Sequence, residues 1–324
     1  MSVLVTGGAG YIGSHMTYAL LDRGEKVVVL DNLSTGNRGL VGDKAVLVEG
    51  EVADQALVRR LIADHSVDAI IHFAGSIVVP DSVAQPLAYY ANNTVASRSL
   101  IEAAIEAGVG NFIFSSTATV YEARDTPLAE TDALVPVSPY ARSKLMTEWM
   151  LEDASRAHDF RHMVLRYFNV AGADPKGRTG QSSPRATHLI KRAAQVVLDR
   201  VPHLDIFGTD YPTHDGTGIR DYIHVTDLVD AHLLALDALR SGAASSTFNC
   251  GYGQGASVRE VVAKVEDVIG RKLQVREGPR RAGDPPTLIA DPAKIKAVLK
   301  WQPRHDDLAG IIRSALEWER RFNS

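Results

Sequence analysis

Cysteine is almost absent: Cys250 is the only one in 324 residues. That excludes an internal disulfide framework and fits a reducing compartment. No apolar run reaches the roughly 18 residues needed to cross a bilayer. The start, MSVLVTGG, has neither a cationic flank nor a cleavable apolar stretch, so no secretory signal is expected. Blocks of like charge are also missing. The 35 Lys and Arg and 39 Asp and Glu are interspersed and leave a formal charge of −4, a poor basis for nucleic-acid binding. Internal repeats and low-complexity tracts do not occur. The remainder, 45% hydrophobic and 23% charged, can build one large or two smaller cores, and the expectation is a cytoplasmic globular protein.

Short runs rich in Val, Ile and Phe alternate with longer amphipathic segments. The expected strands are Val3–Thr6, Val27–Asp31, Val46–Gly50, Ala69–Gly75, Phe112–Ser116 and Met163–Phe168, with helices near 12–23, 54–65, 86–107 and 139–157. Near-continuous apolar strands separated by helices predict a doubly wound parallel α/β sheet of Rossmann type. After residue 170 the rhythm breaks. Ala173–His188 is polar and rich in Gly, Pro and Ser, which reads as a long loop. A helix near 188–200, a strand at DIFG, a helix opening at Thr226–Asp227, a strand TFNCG, a helix from Ser257 and a last helix after Asp306, its expected cap, complete the chain. The expected division is a dinucleotide-binding domain over 1–170, rejoined by 219–250, and a smaller α/β substrate-binding domain over 171–324.

TGGAGYIGSH (Thr6–His15) follows the first strand directly and opens the first helix, with glycines at 7, 10 and 13. A phosphate pair reaches the free N–H groups of a helix N-terminus only where the backbone comes close, as glycine allows. Gly13 would let the helix pack tightly on the sheet. Asp31 ends the second strand, where a carboxylate accepts from ribose hydroxyls and repels a 2′-phosphate, so NAD is expected over NADP. Arg38 is a candidate phosphate contact.

Ser138–Pro139–Tyr140 opens a helix on which Tyr140 and Lys144, four residues apart, share a face. A phenol titrates near 10, too high for a base at neutral pH. A neighbouring ammonium and a cationic nicotinamide are expected to lower it, making Tyr140 a usable acid/base for a sugar or alcohol hydroxyl. Thr117, at the end of the fifth strand, could hydrogen-bond the reacting hydroxyl, whereas Ser115 and Ser116 read as hydroxyls satisfying backbone groups. The 11 histidines include His72, His214 and His224, but none has metal-ligand spacing, and no metal is expected. His232 reads as a packed helix residue.

TGGAGYIGSH, SSTATVY, Tyr140/Lys144, RYFNVAGA (Arg166–Ala173), DGTGIRDYIHVTDLVDAH (Asp215–His232) and RRAGDPP (Arg280–Pro286) together resemble the UDP-glucose/UDP-galactose 4-epimerases of the extended short-chain dehydrogenase/reductases. The resemblance implies a bound NAD, a UDP-hexose substrate and a homodimer serving galactose metabolism. It further implies proton transfer by Tyr140 while carbon 4 is oxidised and re-reduced, with Lys144 and Thr117 assisting. Carried over position by position, the cofactor side would comprise Gly7, Gly10, Tyr11, Ile12, Gly13, Asp31, Asn32, Ser34, Thr35, Gly36, Glu51, Val52, Phe73, Ala74, Gly75, Asn92, Ser115, Tyr140, Lys144 and Phe168. The sugar-nucleotide side would comprise Thr117, Tyr140, Asn169, His188, Leu189, Phe207, Arg220, Tyr222, Arg281 and Asp284.

Three departures from the family pattern stand out: Glu51 replaces the shorter Asp found after the third strand, Ile77 a lysine near the cofactor, and Glu122 a glycine. Leu288 falls where the family varies room for an N-acetyl group, so an epimerase for UDP-N-acetylhexosamines or UDP-pentoses is the nearest alternative. A 4,6-dehydratase needs an Asp-Glu pair where this chain has Ala118 and Thr119, and a decarboxylase needs a Glu at 119. A non-catalytic NAD-responsive protein would be expected to lose Tyr140 or Lys144.

Overall fold

The computed structural model describes residues 1–183, 187–281 and 284–322. Its chain folds into two compact units. The first comprises Met1–Val120, Val135–Arg166 and Val229–Phe248; the second comprises Tyr121–Leu134, Tyr167–Leu228 and Asn249–Ser324.

The first unit is built on β1 (Ser2–Thr6), β2 (Lys26–Asp31), β3 (Val46–Glu49), β4 (Ala69–His72), β5 (Asn111–Thr117), β6 (Arg161–Tyr167) and β10 (Ser246–Cys250). These form one seven-stranded sheet in the order β10-β6-β5-β4-β1-β2-β3. β1 pairs in parallel with β2 and with β4, Val5 standing opposite Val29 on one side and Ile71 on the other. Strand order therefore reverses between β1 and β4, and the carboxyl ends at that reversal are where open α/β sheets take ligands. Val3, Leu4, Val5, Ile70, Ile71 and Ile113 are wholly buried, as strands covered on both faces require.

Helix α1 (Tyr11–Asp22) opens from the glycine turn. α2 (Gln55–His65) is capped by Asp54, whose carboxylate accepts from Leu57 N at 3.0 Å, and it buries Val58, Leu61 and Ile62. The expected single helix over 86–107 is instead α4 (Pro86–Tyr89), a wider π-helical turn over Tyr90–Val95, and α5 (Ala96–Glu106), preceded by an unpredicted short helix, α3 (Val79–Ala84). The apolar spacing hid the extra residue. The polar pair Asn92–Asn93 sits in that turn and is bonded to Ser76, which explains a local departure from regular helix. The strand expected to reach Gly75 stops at His72. Helix α6 (Pro139–Ala157) begins as the sequence predicts, with Ser138 Oγ accepting from Ala141 N at 3.1 Å.

In the second unit β9 (Ile219–His224) pairs with β7 (Asn169–Ala171), antiparallel β11 (Gly255–Ser257) and β13 (Thr287–Leu288). β8 (Leu204–Phe207) and β12 (Val275–Gly278) form a separate parallel pair. α7 (Leu189–Val197), α9 (Val258–Ile269), α10 (Ala293–Leu299) and α11 (Leu308–Phe322) accompany these strands; α8 (Val225–Arg240) runs through both units. Ser257 and Glu260 close a reciprocal cap at the start of α9. Asp307, not the expected Asp306, caps α11, its carboxylate accepting from Ala309 N and Gly310 N at 3.1 and 2.8 Å. Two adjacent aspartates are equivalent in sequence, and only the backbone turn chooses between them. Among the described residues, no helix is long and apolar enough to cross a membrane.

Candidate active site

The glycine turn is sterically committed. Gly7 has φ +70°, and a Cβ there would meet Ala74 N at 2.6 Å. A Cβ on Gly13 would stand 2.1 Å from the Gly7 carbonyl oxygen, so α1 rests directly on the turn backbone. Gly13→Ala is expected to push α1 off the turn, costing about 1–3 kcal/mol by overpacking and releasing any cofactor; thermal unfolding and nucleotide content of the purified protein check both.

Asp31 is buried at the end of β2, with its carboxylate accepting from Ala9 N at 2.9 Å and Leu33 N at 2.8 Å. Two contacts leave lone pairs for further donors. Asn32 links the neighbouring segments by donating to Glu51 at 3.1 Å and accepting from Ser34. Thr35 and Glu51 are exposed, Tyr11, Ile12 and Gly36 half-buried and Val52 buried. A Cβ on Gly36 would press on the Asp31 carboxylate at 2.9 Å. Arg38 instead pairs with Glu49 at 2.5 Å. Phe73 lies against the His232 ring at 5.1 Å, Ala74 meets the Gly7 turn, and Asn92 donates to Ser76 Oγ at 2.9 Å. Ile77 is half exposed.

At the ends of β4 and β5 lies the tyrosine site. Lys144 is 4% exposed, donates to the Ser115 carbonyl at 2.9 Å, lies 4.8 Å over the Phe114 ring, and is 3.7 Å from where a Gly75 Cβ would be. Burial lowers its ammonium to about 8, against an opposing pull from Glu148. The Thr117 hydroxyl hydrogen-bonds the Tyr140 phenol and also contacts Thr119 Oγ1 at 3.0 Å.

One expectation fails here. In the protein alone the Tyr140 phenol is not lowered but pushed up to about 12, because desolvation outweighs the Thr117 hydrogen bond and Tyr89 adds to the rise. The Lys144 hydrogen bond goes to a backbone carbonyl, so its charge does not offset the burial.

Further residues surround this pair, and Ser116, expected to satisfy a backbone group, bonds a buried carboxylate instead. Arg166 and Glu148, 4% and 6% exposed, are joined at 2.6 Å, and Ser116 Oγ donates to the same carboxylate. Asn93 accepts from Ser76 N at 2.8 Å and donates to Ser143 Oγ at 3.0 Å. Thr6 Oγ1 and His72 Nδ1 meet at 2.6 Å across the β1/β4 reversal, and burial holds the His72 imidazolium well below its usual range, to about 3. A charged residue inside an apolar strand (MVLRYF) and a Glu one turn beyond Lys144 were the available signals.

The second unit gathers the other residues. Asn169 stands opposite Tyr222 in the β7/β9 register, and Leu288 opposite Arg220 in β13/β9. Arg220 donates to the Ile219 carbonyl at 2.8 Å; burial lowers its guanidinium while Asp284, Tyr222 and Tyr211 favour its charge. Arg281 pairs with Asp284 at 2.7 Å and lies 5.1 Å from the centre of the exposed Phe207 ring. His188 precedes Leu189 at the start of α7, with its imidazolium lowered by burial, and Phe168 is buried with its N–H on the Cys250 carbonyl. Residues 282 and 283 of RRAGDPP lie outside the described residues. Among the described residues no group of three or more His, Cys, Asp or Glu is placed to hold a metal ion.

Residues 3–251 match the NAD dependent epimerase/dehydratase family. A UDP-glucose 4-epimerase of Azospirillum brasilense is 57% identical over 98% of this chain and 92% of its own. The crystal structure of a Brucella ovis UDP-glucose 4-epimerase in complex with NAD superposes with a TM-score of 0.93 at 43% identity, covering 98% of this chain and 97% of that one. The UDP-Glc/GlcNAc 4-epimerase of Campylobacter jejuni gives a TM-score of 0.85 at 47% identity, with 99% of each chain covered.

Proposed function

The chain belongs to the NAD dependent epimerase/dehydratase family, and from that premise we propose that it interconverts UDP-glucose and UDP-galactose through carbon 4 of the hexose. The observation that carries this reading is Tyr140 held by the Thr117 hydroxyl one helical turn from the buried Lys144, in the unit whose sheet reverses beside a glycine turn. That turn, whose close backbone packing excludes side chains at Gly7 and Gly13, fits a dinucleotide diphosphate, and Asp31 keeps acceptor capacity for ribose hydroxyls. When bound, NAD+ supplies a reversible hydride acceptor, so the sugar is oxidised and re-reduced with no net change. Tyr140 takes the 4-hydroxyl proton and returns it, Thr117 orients that hydroxyl, and Lys144 supplies positive charge. Ala118 and Thr119 offer no acid for eliminating water, which disfavours a dehydratase.

Arg220 and Arg281 supply the counter-charge for the UDP diphosphate, with Phe207 and Tyr222 as apolar and aromatic neighbours. Arg220→Ala removes charge-assisted hydrogen bonds worth about 1.5–3 kcal/mol, so titration calorimetry is expected to show UDP binding roughly 10- to 150-fold weaker. Unchanged affinity removes Arg220 from the site.

Cytoplasmic placement and homodimerisation belong to the same proposal. Leu87, Val95, Met146 and Trp149 are 79%, 56%, 36% and 53% exposed on α4, the π-helical turn and α6, an apolar surface suited to a second copy. Trp149→Glu is expected to give a monomer by light scattering; an unchanged mass contradicts this interface. The substrate itself is tested by incubating the purified protein separately with UDP-galactose, UDP-N-acetylgalactosamine and UDP-arabinose. UDP-galactose is expected to equilibrate with its 4-epimer fastest, and failure to do so overturns the proposal.

A further inference from the structure

Tyr140, Lys144 and Glu148 recur every four residues along one stripe of α6, and the third has no part in the proton transfer described above. Glu148 is buried, yet it is not idle. Arg166 reaches it from β6 through Nε to Oε1 at 3.2 Å and Nη2 to Oε2 at 2.6 Å, a two-pronged grip, and Ser116 donates to Oε1 from β5. A buried ion pair of this kind is weak evidence for stability by itself. The neighbouring residue on the strand, Ser115, supplies the carbonyl that receives Lys144. Ser115 and Ser116 therefore hold two successive residues of the α6 stripe, one by its carbonyl and one by its hydroxyl.

We propose that Glu148, clamped by Arg166 and Ser116 one helical turn beyond Lys144, is a positioning residue that holds Lys144 aimed at the Ser115 carbonyl during turnover. The inference rests on the epimerase reading of the same site. Among the described residues, the charged and titratable groups of the first unit near Lys144 include Tyr140 and Glu148 on its own helix, His72 from β4, Tyr89 from α4 beside Tyr140, and Arg166 from β6 behind Glu148. His72 is buried and neutral, and Tyr140 is uncharged until it gives up its proton. Glu148, shared with Arg166, is thus the carboxylate of the group. Burial drags Lys144 toward its neutral form and Glu148 opposes that drag. Losing the anion releases the ammonium proton at lower pH, and the rate then declines where the wild type is still active.

The test is the pH profile of kcat for UDP-galactose epimerisation in wild type, Glu148→Gln, Glu148→Asp and Ser116→Ala, with thermal unfolding of each. Glu148→Gln is expected to move the alkaline limb down by about one pH unit, the effect of removing one nearby opposite charge, with KM unchanged. Glu148→Asp keeps the anion and is expected to keep the limb in place even at reduced kcat. Ser116→Ala removes a donor that spreads the carboxylate charge and is expected to move the limb slightly upward; it serves equally if Glu148→Gln does not fold. A uniform loss of rate at every pH in Glu148→Gln, or an unmoved limb in Ser116→Ala, overturns the proposal and leaves Glu148 a structural residue. A wild type inactive on UDP-galactose refutes the epimerase reading instead, so the two failures are distinguishable.

Discussion

Tyr140→Phe is expected to lower turnover of UDP-galactose by about 10²- to 10⁴-fold, the range for a lost general acid/base, while leaving NAD and UDP binding near wild type. The substitution removes one oxygen from a half-buried ring and keeps its packing. The phenol's partner is the Thr117 hydroxyl, which retains Thr119 as a second contact. The chain alone holds the phenol near 12, so at neutral pH it is a proton donor until further positive charge arrives. A cationic nicotinamide is the further charge available, beside the Lys144 already present. In the loaded enzyme kcat is therefore expected to rise with pH through the Tyr140 titration, because the accepting form is the deprotonated one. Turnover and calorimetry on the same preparation separate chemistry from binding.

Lys144→Met is expected to do two opposite things. Turnover falls, because positive charge near the phenol is lost, and the cofactor-free protein becomes more stable. The sign follows from the direction of the shift. An ammonium lowered from 10.5 to about 8 favours folding only where it is neutral; that contribution is present above about 10.5 and lost as pH falls through about 8. At pH 7 the buried charge therefore costs about 3 kcal/mol. Met recovers this but orphans the Ser115 carbonyl, which takes back about 1–2 kcal/mol. A net gain of about 1–2 kcal/mol is expected, and a higher unfolding temperature at pH 7 whose advantage shrinks toward pH 10. An equal or lower unfolding temperature at pH 7 contradicts the burial argument.

The parts of the fold legible in the sequence were those with long, unambiguous patterns. The strands from Val3 to Phe168 and the helix opening at Ser138–Pro139 have continuous apolar runs or a cap beside proline, and their boundaries differ from expectation by a few residues at most. Helix type along 79–106 was not legible, because a π-helical turn leaves the apolar spacing almost unchanged while redirecting Asn92 and Asn93. Two- and three-residue strands such as Thr287–Leu288 and Gly255–Ser257 carry too few residues for any period.

Within the site, the tyrosine–lysine pair and the glycine turn were readable because each needs particular residue types at fixed spacing. Their electrostatics were not. The sequence sets an ammonium beside a phenol, but only the fold reveals that the ammonium faces the Ser115 carbonyl and that burial governs both groups. Glu148 was not singled out for a related reason: it looks like an ordinary surface charge until β5, β6 and α6 bring it to Ser116 and Arg166.

The most direct measurement follows a label. UDP-galactose carrying deuterium at carbon 4 is incubated with the purified protein in ordinary water, and the UDP-glucose formed is examined by mass spectrometry and proton NMR. Retention of the deuterium at carbon 4 is expected, since hydride leaves and returns without meeting solvent while Tyr140 handles only the hydroxyl proton. Loss of the label to water, or no UDP-glucose at all, contradicts the account.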